Sequence, residues 1–254
     1  MQKQFFTEAI SLEIFETISK ASQQLGLESY VIGGFVRDYF LKRGTAKDID
    51  IVTIGSGIDL AEKVSSLLSN KPKVQVFKTY GTAMLRYKDI EIEFVGARKE
   101  SYSEESRNPE VSEGNLQDDQ NRRDFTINAL ALSLNESNFG ELLDPFNGID
   151  DLEDGILRTP LNPDITYSDD PLRMMRAIRF ASQLNFKIEK KSLAAITKNS
   201  ERLEIITRER IVDELNKVMS CEKPSIGFLL LEETKLLAQI IPELIDLKGV
   251  EEVE

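Results

Sequence analysis

Residues 30–54 read YVIGGFVRDYFLKRGTAKDIDIVTI, and this stretch decides the fold. Tyr30-Val31-Ile32 is a short apolar run of strand type, broken at once by Gly33-Gly34. Residues 35–41 restart with helical spacing, and residues 48–54 form a second strand that opens on Asp48-Ile49-Asp50. Strand side chains repeat every two residues, so the two aspartates project side by side from one face. Two like charges about 4 Å apart repel by about 4 kcal/mol at a near-surface effective dielectric, a cost that a divalent cation removes. Taken singly, an Asp-x-Asp pair also suits a solvated strand end, and a glycine pair suits any tight turn. In succession, a strand, a Gly-Gly turn, a helix and a strand with paired aspartates are far more specific.

Outward from this stretch, residues 8–26 carry Ile10, Ile14, Ile18 and Leu25 at helical spacing and close on Gly26. Residues 58–69 predict a further helix after the Gly55-Ser56-Gly57 turn. Residues 74–77, 82–87 and 90–95 predict three strands, the last two joined as a hairpin at Lys88-Asp89. Residues 99–121 are polar and read as a surface loop, although a loop of that length is uncommon without a role. Beyond it the pattern predicts helices over 124–134, 169–185, 190–199, 207–220 and 224–239. The expectation is a mixed α/β front to about residue 140 and an all-helical back.

Composition narrows the chemistry. Of 254 residues, none is histidine, which excludes imidazole acid–base catalysis and histidine metal sites. Any metal must be held by carboxylates, favouring Mg²⁺ or Mn²⁺. Cys221 is the single cysteine, so no internal disulfide forms, in keeping with a reducing cytoplasm. No run reaches the roughly 18 apolar residues of a membrane helix. The net charge of −12 argues against a general nucleic-acid surface and leaves any RNA contact to a local basic stripe.

Spacing supplies further candidates. In Ile90-Glu91-Ile92-Glu93-Phe94 the two glutamates share a face, and a third carboxylate beside the aspartates completes a two-metal phosphoryl-transfer set. Gly33 and Gly34 let backbone N–H groups approach a triphosphate, with Arg37 adding charge. Arg173, Arg176 and Arg179 recur every three residues, drifting about 60° per step around a helix, with Asp170 one turn earlier. An aspartate there accepts from the exocyclic amine that C and A share, and an arginine fork donates to ring acceptors.

GGFVRD at 33–38 followed by KDIDIV at 47–52 resembles the signature of the family of tRNA CCA-adding enzymes and bacterial poly(A) polymerases. The resemblance continues through RRDFTINALAL at 122–132, DPFNGIDDLEDGILRT at 144–159, DDPLRMMRAIRFASQLNF at 169–186 and RERIVDEL at 208–215. It implies an α+β fold: a mixed-sheet, polymerase-beta-like nucleotidyltransferase head over 1–140, then an all-helical neck over 141–254 with the nucleotide-selecting helix. A further C-terminal RNA-binding region is expected beyond it. The implied reaction adds C and A from CTP and ATP to the 3′ end of tRNA and releases pyrophosphate. Asp48 and Asp50 would bind two Mg²⁺ (or Mn²⁺), and Glu93 would support them. Gly33, Gly34 and Arg37 would hold the triphosphate, Arg123 and Asp124 the sugar and phosphates, and Asp170, Arg173, Arg176 and Arg179 the base. Asp169 stands where the family usually has glutamate, which touches fine base preference. The polar segment matches a family loop linked to A addition and leans toward CCA addition. Poly(A), CC-only and A-only addition, and a non-catalytic nucleotide sensor, remain alternatives.

Overall fold

The structure, a computed structural model, describes residues 3–44, 48–103, 106–247 and 249, with backbone alone for 100–103 and 106–110. Residues 104 and 105 of the polar stretch, and 248 and 250–254 at the chain's end, lie outside the described residues. The chain forms two compact units: Met1–Glu100 with Val111–Leu152, and Ser101–Glu110 with Glu153–Glu254.

In chain order, the first unit carries α1 (Glu13–Leu25), β1 (Glu28–Ile32), α2 (Gly34–Phe40), β2 (Asp48–Ile54), α3 (Gly57–Leu67), β3 (Gln75–Phe77), β4 (Thr82–Tyr87) and β5 (Ile90–Gly96). Next come a ribbon of β6 (Arg98–Ser103) and β7 (Ser106–Glu113), then α4 (Leu116–Asn121), β8 (Ala131–Ser133), β9 (Leu142–Leu143) and α5 (Gly148–Asp154). Seven strands make one sheet in the order β3-β4-β5-β2-β1-β8-β9, in which β2 runs parallel to β5 and the other neighbours are antiparallel.

Alternation along the strands divides the sheet's two faces. Ile49 and Ile51 of β2 and Ile92 and Phe94 of β5 are fully buried, as are Ile14, Phe15 and Ile18 of α1 and Leu60 and Val64 of α3, the helices packed beside them. The opposite row of β2 begins Asp48, Asp50 and continues as Val52 and Ile54. Only its apolar end is covered, in a cluster with Tyr30, Ile32, Val95 and Leu116 of α4. The two aspartates therefore start a row whose far end is anchored in the core.

Two expectations are corrected here. The described residues of the 99–121 segment form the β6–β7 strands and a helix, with α4 started by a capping box in which Asn115 and Asp118 exchange side-chain bonds. Residues 124–134 are not a helix: a single 3-10 turn at Thr126–Asn128 leads into β8, which pairs with β1 and β9. Asp124 enforces that turn by accepting from the N–H of Phe125 and from Asn128 Nδ2, both at 2.9 Å. Past residue 140, Asp144 caps α5 through the Gly148 and Ile149 amides and Thr126 donates to Asp151, within the contact-defined first unit that ends at Leu152.

Besides residues 101–110 of the β6–β7 ribbon, the second unit contains β10 (Ile156–Leu157), α6 (Pro163–Asp169), α7 (Leu172–Leu184), β11 (Lys187–Ile188), α8 (Lys190–Asn199), α9 (Arg208–Met219), α10 (Pro224–Glu233), α11 (Leu236–Ile240) and α12 (Glu243–Asp246). Among the described residues after Glu153, the two-residue parallel pair β10–β11 interrupts an otherwise helical succession. The helix expected over 169–185 is broken at Asp170-Pro171, where Asp170 takes extended backbone, and the one over 224–239 breaks at Lys235, which has φ 64. Among the described residues no helix is long and apolar enough to cross a membrane.

Close approach of α10 to α7 and α9 depends on Gly227, where a Cβ would collide with Val218 Cγ1 and stand 2.7 Å from Ser182 Oγ. Gly227→Ala is expected to destabilise the second unit by about 1–3 kcal/mol through overpacking, read from urea unfolding. An unchanged midpoint would show that α10 can shift without penalty.

Candidate active site

The parallel register of β2 on β5 sets Asp48 opposite Glu91 and Asp50 opposite Glu93, all on one face. β1 flanks β2 on its other side, with Ile32 opposite Asp50, so the Gly33-Gly34 turn leaves the sheet beside the aspartates. Gly33 has φ 83, and a Cβ on it would stand 3.3 Å from both Asp50 Oδ2 and Arg123 Nη1. Only glycine fits there: the positive φ and the crowding act together. Asp50, Glu93, Thr82, Arg98, Arg122 and Arg123 line a cavity of about 450 Å³, with Phe77 and Tyr80 at its edge.

The electrostatics of the pair are strained. Burial, with the charges of Asp119 and Asp48 adding to it, raises the pKa of Asp50 although Arg123 opposes the shift. Glu93 is raised by burial and then by Asp50, while a hydrogen bond from Thr82 pulls the other way. The charge of a divalent cation beside these carboxylates would relieve both repulsions. The side chains do not form a closed cage: among the described residues no group of three or more Asp, Glu or Cys side chains stands close enough to hold a metal ion.

Arg122 and Arg123 are held by Asp119, a residue inside the polar segment that its sequence pattern did not single out. Asp119 is fully buried; Oδ1 accepts from Arg122 Nε and Nη2, and Oδ2 accepts from Arg123 Nε at 3.2 Å and Nη2 at 3.0 Å. Burial alone would raise this carboxyl, but Arg123 and Arg122 hold it below its ordinary value. Burial likewise works against the Arg123 charge, and Asp119 and Asp50 overcome it. The signal was present as helical spacing, since Asp119 precedes the arginines by three and four residues.

Other candidates occupy bracing positions. Arg37 is buried, with Nε and Nη2 on the Asp38 carboxylate and Nη1 donating to Asn128 Oδ1 at 2.8 Å. Asn128 in turn donates to Asp124, so Arg37 and Asp124 belong to one network behind the glycine turn. In the second unit, Asp170 accepts from the Leu172 amide at 3.2 Å just before α7, on which Arg173 and Arg176 are half-buried. Arg179 leaves that stripe: it is buried, donates to Glu214 of α9 at 2.6 Å and to Gln183, and lies over the Phe180 ring. Burial would raise Glu214, but Arg179 and Lys217 hold it low. Glu214 lies in RERIVDEL, whose spacing carried no hint of this partner.

A mixed sheet that aligns carboxylates on adjacent parallel strands under a glycine turn defines the class, a nucleotidyltransferase head of the polymerase-β-like kind. Residues 29–158 match the family described as "Poly A polymerase head domain". Residues 185–247 match "Probable RNA and SrmB- binding site of polymerase A". The chain belongs to this family of tRNA nucleotidyltransferases and poly(A) polymerases. It is 37% identical over 192 residues to an A-adding tRNA nucleotidyltransferase of Aquifex aeolicus, covering 74% of this chain and 23% of that one. To a CCA-adding enzyme of Anoxybacillus flavithermus it is 36% identical over 236 residues, covering 92% of this chain and 55% of the relative. A solved CCA-adding enzyme in complex with ATP superposes with a TM-score of 0.82 at 30% identity, over 96% of this chain and 58% of that one. The chain thus spans about half the length of most of the curated relatives it matches.

Two outcomes test this geometry. Asp50 and Glu93 have raised pKa values, so their contribution favours folding at low pH and is lost as pH rises through the folded-state values. Asp50→Asn is expected to raise the melting temperature of chelator-treated protein at about pH 8, with the gain shrinking toward about pH 4; a loss at pH 8 would refute the repulsion. Asp119→Ala, which removes the buried carboxylate shared by two half-buried arginines, is expected to cost about 3 kcal/mol in urea unfolding.

Proposed function

We propose that this chain carries the nucleotidyl-transfer centre of an enzyme that extends the 3′ end of tRNA, adding C and A from CTP and ATP. The observation that carries the reading is the register that sets Asp50 against Glu93, beside a glycine turn and two arginines anchored by one buried aspartate. Asp48 and Asp50 would hold the metal, Mg²⁺ or Mn²⁺, with Glu93 in support. When bound, the metal supplies charge neutralisation and eases deprotonation of the attacking hydroxyl.

The chain's own groups do the rest. The backbone of Gly33 and Gly34 admits the triphosphate close to the carboxylates, because no Cβ stands in the way. Arg122 and Arg123 face the cavity with their charge held fixed, so little reorganisation is needed as negative charge develops on the phosphates. Arg37 and Asp124 act by bracing the glycine turn through Asn128. Asp170, Arg173 and Arg176 are assigned to base selection on the chemistry of the shared C and A amine, with Arg179 bracing their helix through Glu214. The head is proposed to end near residue 140, with the neck after it; residues 185–247 are proposed to contribute RNA contact, as their family description suggests.

The reaction is attack of the RNA 3′-hydroxyl on the α-phosphate, with pyrophosphate leaving. The identity to an A-adding relative supports a second reading, in which only the terminal A is added. Incorporation of labelled CTP and ATP, separately and together, on transcripts ending before CCA, after CC and on oligo(A) separates the cases. Two C additions and then one A are expected. Extension of the CC acceptor alone would make the activity A-only, and long A tails would make it a poly(A) polymerase. Asp48→Ala is expected to lose incorporation while retaining ATP binding; a variant as active as the parent would remove Asp48 from the centre.

A further inference from the structure

The cavity's edge holds two side chains for which neither the core nor the carboxylate chemistry has a use. Phe77 closes β3 at 43% exposure and Tyr80 stands in the next turn at 73%, yet both line the same cavity as Asp50 and Glu93. The turn is tight: the Tyr80 amide donates to the Phe77 carbonyl at 3.0 Å, the Gly81 amide donates to the Lys78 carbonyl at 3.2 Å, and Gly81 has φ 65. Directly after it comes Thr82, whose side chain bonds Glu93. The aromatics are therefore tied by a short, bonded segment to the carboxylate row. Single exposed apolar residues are ordinary, but two aromatics on one turn, with exposed Lys78 between them, make a stacking surface with an adjacent positive charge.

The sheet order says which ligand this surface meets. The glycine turn comes after β1, the carboxylates stand on β2 and β5, and the aromatic turn joins β3 to β4 on the far side. Phosphoryl transfer keeps the attacking and leaving oxygens roughly in line across the reacting phosphorus. With the triphosphate, and hence the leaving pyrophosphate, on the glycine side, the attacking hydroxyl comes from the β3–β4 side.

We propose that Phe77 and Tyr80 form a stacking platform for the 3′-terminal base of the RNA acceptor, with Lys78 beside its phosphate. This rests on the nucleotidyl-transfer reading above. Stacking is tolerant of base identity, because every base has a π-face, which suits an acceptor whose last base changes with each addition.

The chain contains no tryptophan, so Tyr80→Trp installs a lone fluorophore at an exposed position. A short RNA ending in CC is expected to quench its emission saturably, at the concentrations where labelled RNA shows binding by anisotropy. CTP or ATP alone is expected to leave the emission unchanged. In steady state, Tyr80→Ala and Phe77→Leu should each raise KM for RNA by about tenfold with KM for CTP unmoved, and Tyr80→Phe should restore it. RNA binding without quenching, or quenching by the nucleotide alone, would overturn the platform while leaving the transfer reading intact. No RNA binding by the parent protein would take down both.

Discussion

Asp50 and Glu93 stand opposite one another on parallel strands, and burial pushes both carboxyls toward the neutral form. The register leaves no alternative, because a one-residue slip of β2 on β5 would turn Ile49 and Ile51 away from the face on which Ile92 and Phe94 are buried. The apolar row thus holds the acidic row in place, and hydrophobic burial sustains a repulsion that would otherwise spread the carboxylates apart. Everything else in the first unit is arranged around that concentrated negative charge: the glycine turn on one side, Thr82 on the other, and two arginines across the cavity.

The arginines show how the protein keeps opposite charges near each other without letting them collapse. Left to themselves, Arg122 and Arg123 would close on Asp50 and Glu93, the nearest anions in a partly dehydrated cavity. Asp119 prevents this by occupying both guanidinium groups from behind, through an ionised carboxylate with no exposed surface. The cost of burying that charge is offset only because two cations share it. Arg179 and Glu214 repeat the device in the second unit, where a buried ion pair joins α7 to α9 beneath the more exposed Arg173 and Arg176. In both places a buried carboxylate, Asp119 or Glu214, sets the geometry of a chemically suggestive arginine.

Membership of the nucleotidyltransferase family is carried by the front of the chain, where the head-domain match spans 29–158, and the helical part matches an RNA-binding description over 185–247. The net charge of −12 does not prevent a local gathering of basic side chains: Arg98, Arg122 and Arg123 line one cavity. Local potential, not total charge, decides where a phosphate settles.

By itself the sequence determined the elements whose signal is short-ranged. The strand–Gly-Gly–helix–strand succession, the shared face of Asp48 and Asp50, the hairpin at Lys88-Asp89 and helices α8 and α9 arise from periodicity and turn chemistry, which neighbouring residues alone impose. The tertiary structure decided the features that depend on partners distant in the chain. Residues 124–134 look helical, but Asp124 bends their start into a turn, and β1 and β9 recruit residues 131–133 as a strand, because pairing on both sides outweighs the helix propensity of Ala131 and Leu132. The polar segment passes for a loop until α4 carries Asp119 beneath the arginines. Which glutamate faces Asp50, and that Arg37 and Arg179 brace while Arg123 faces the cavity, were likewise set by register and burial, since a charged side chain shows its role only once its neighbours and its exposure to water are known.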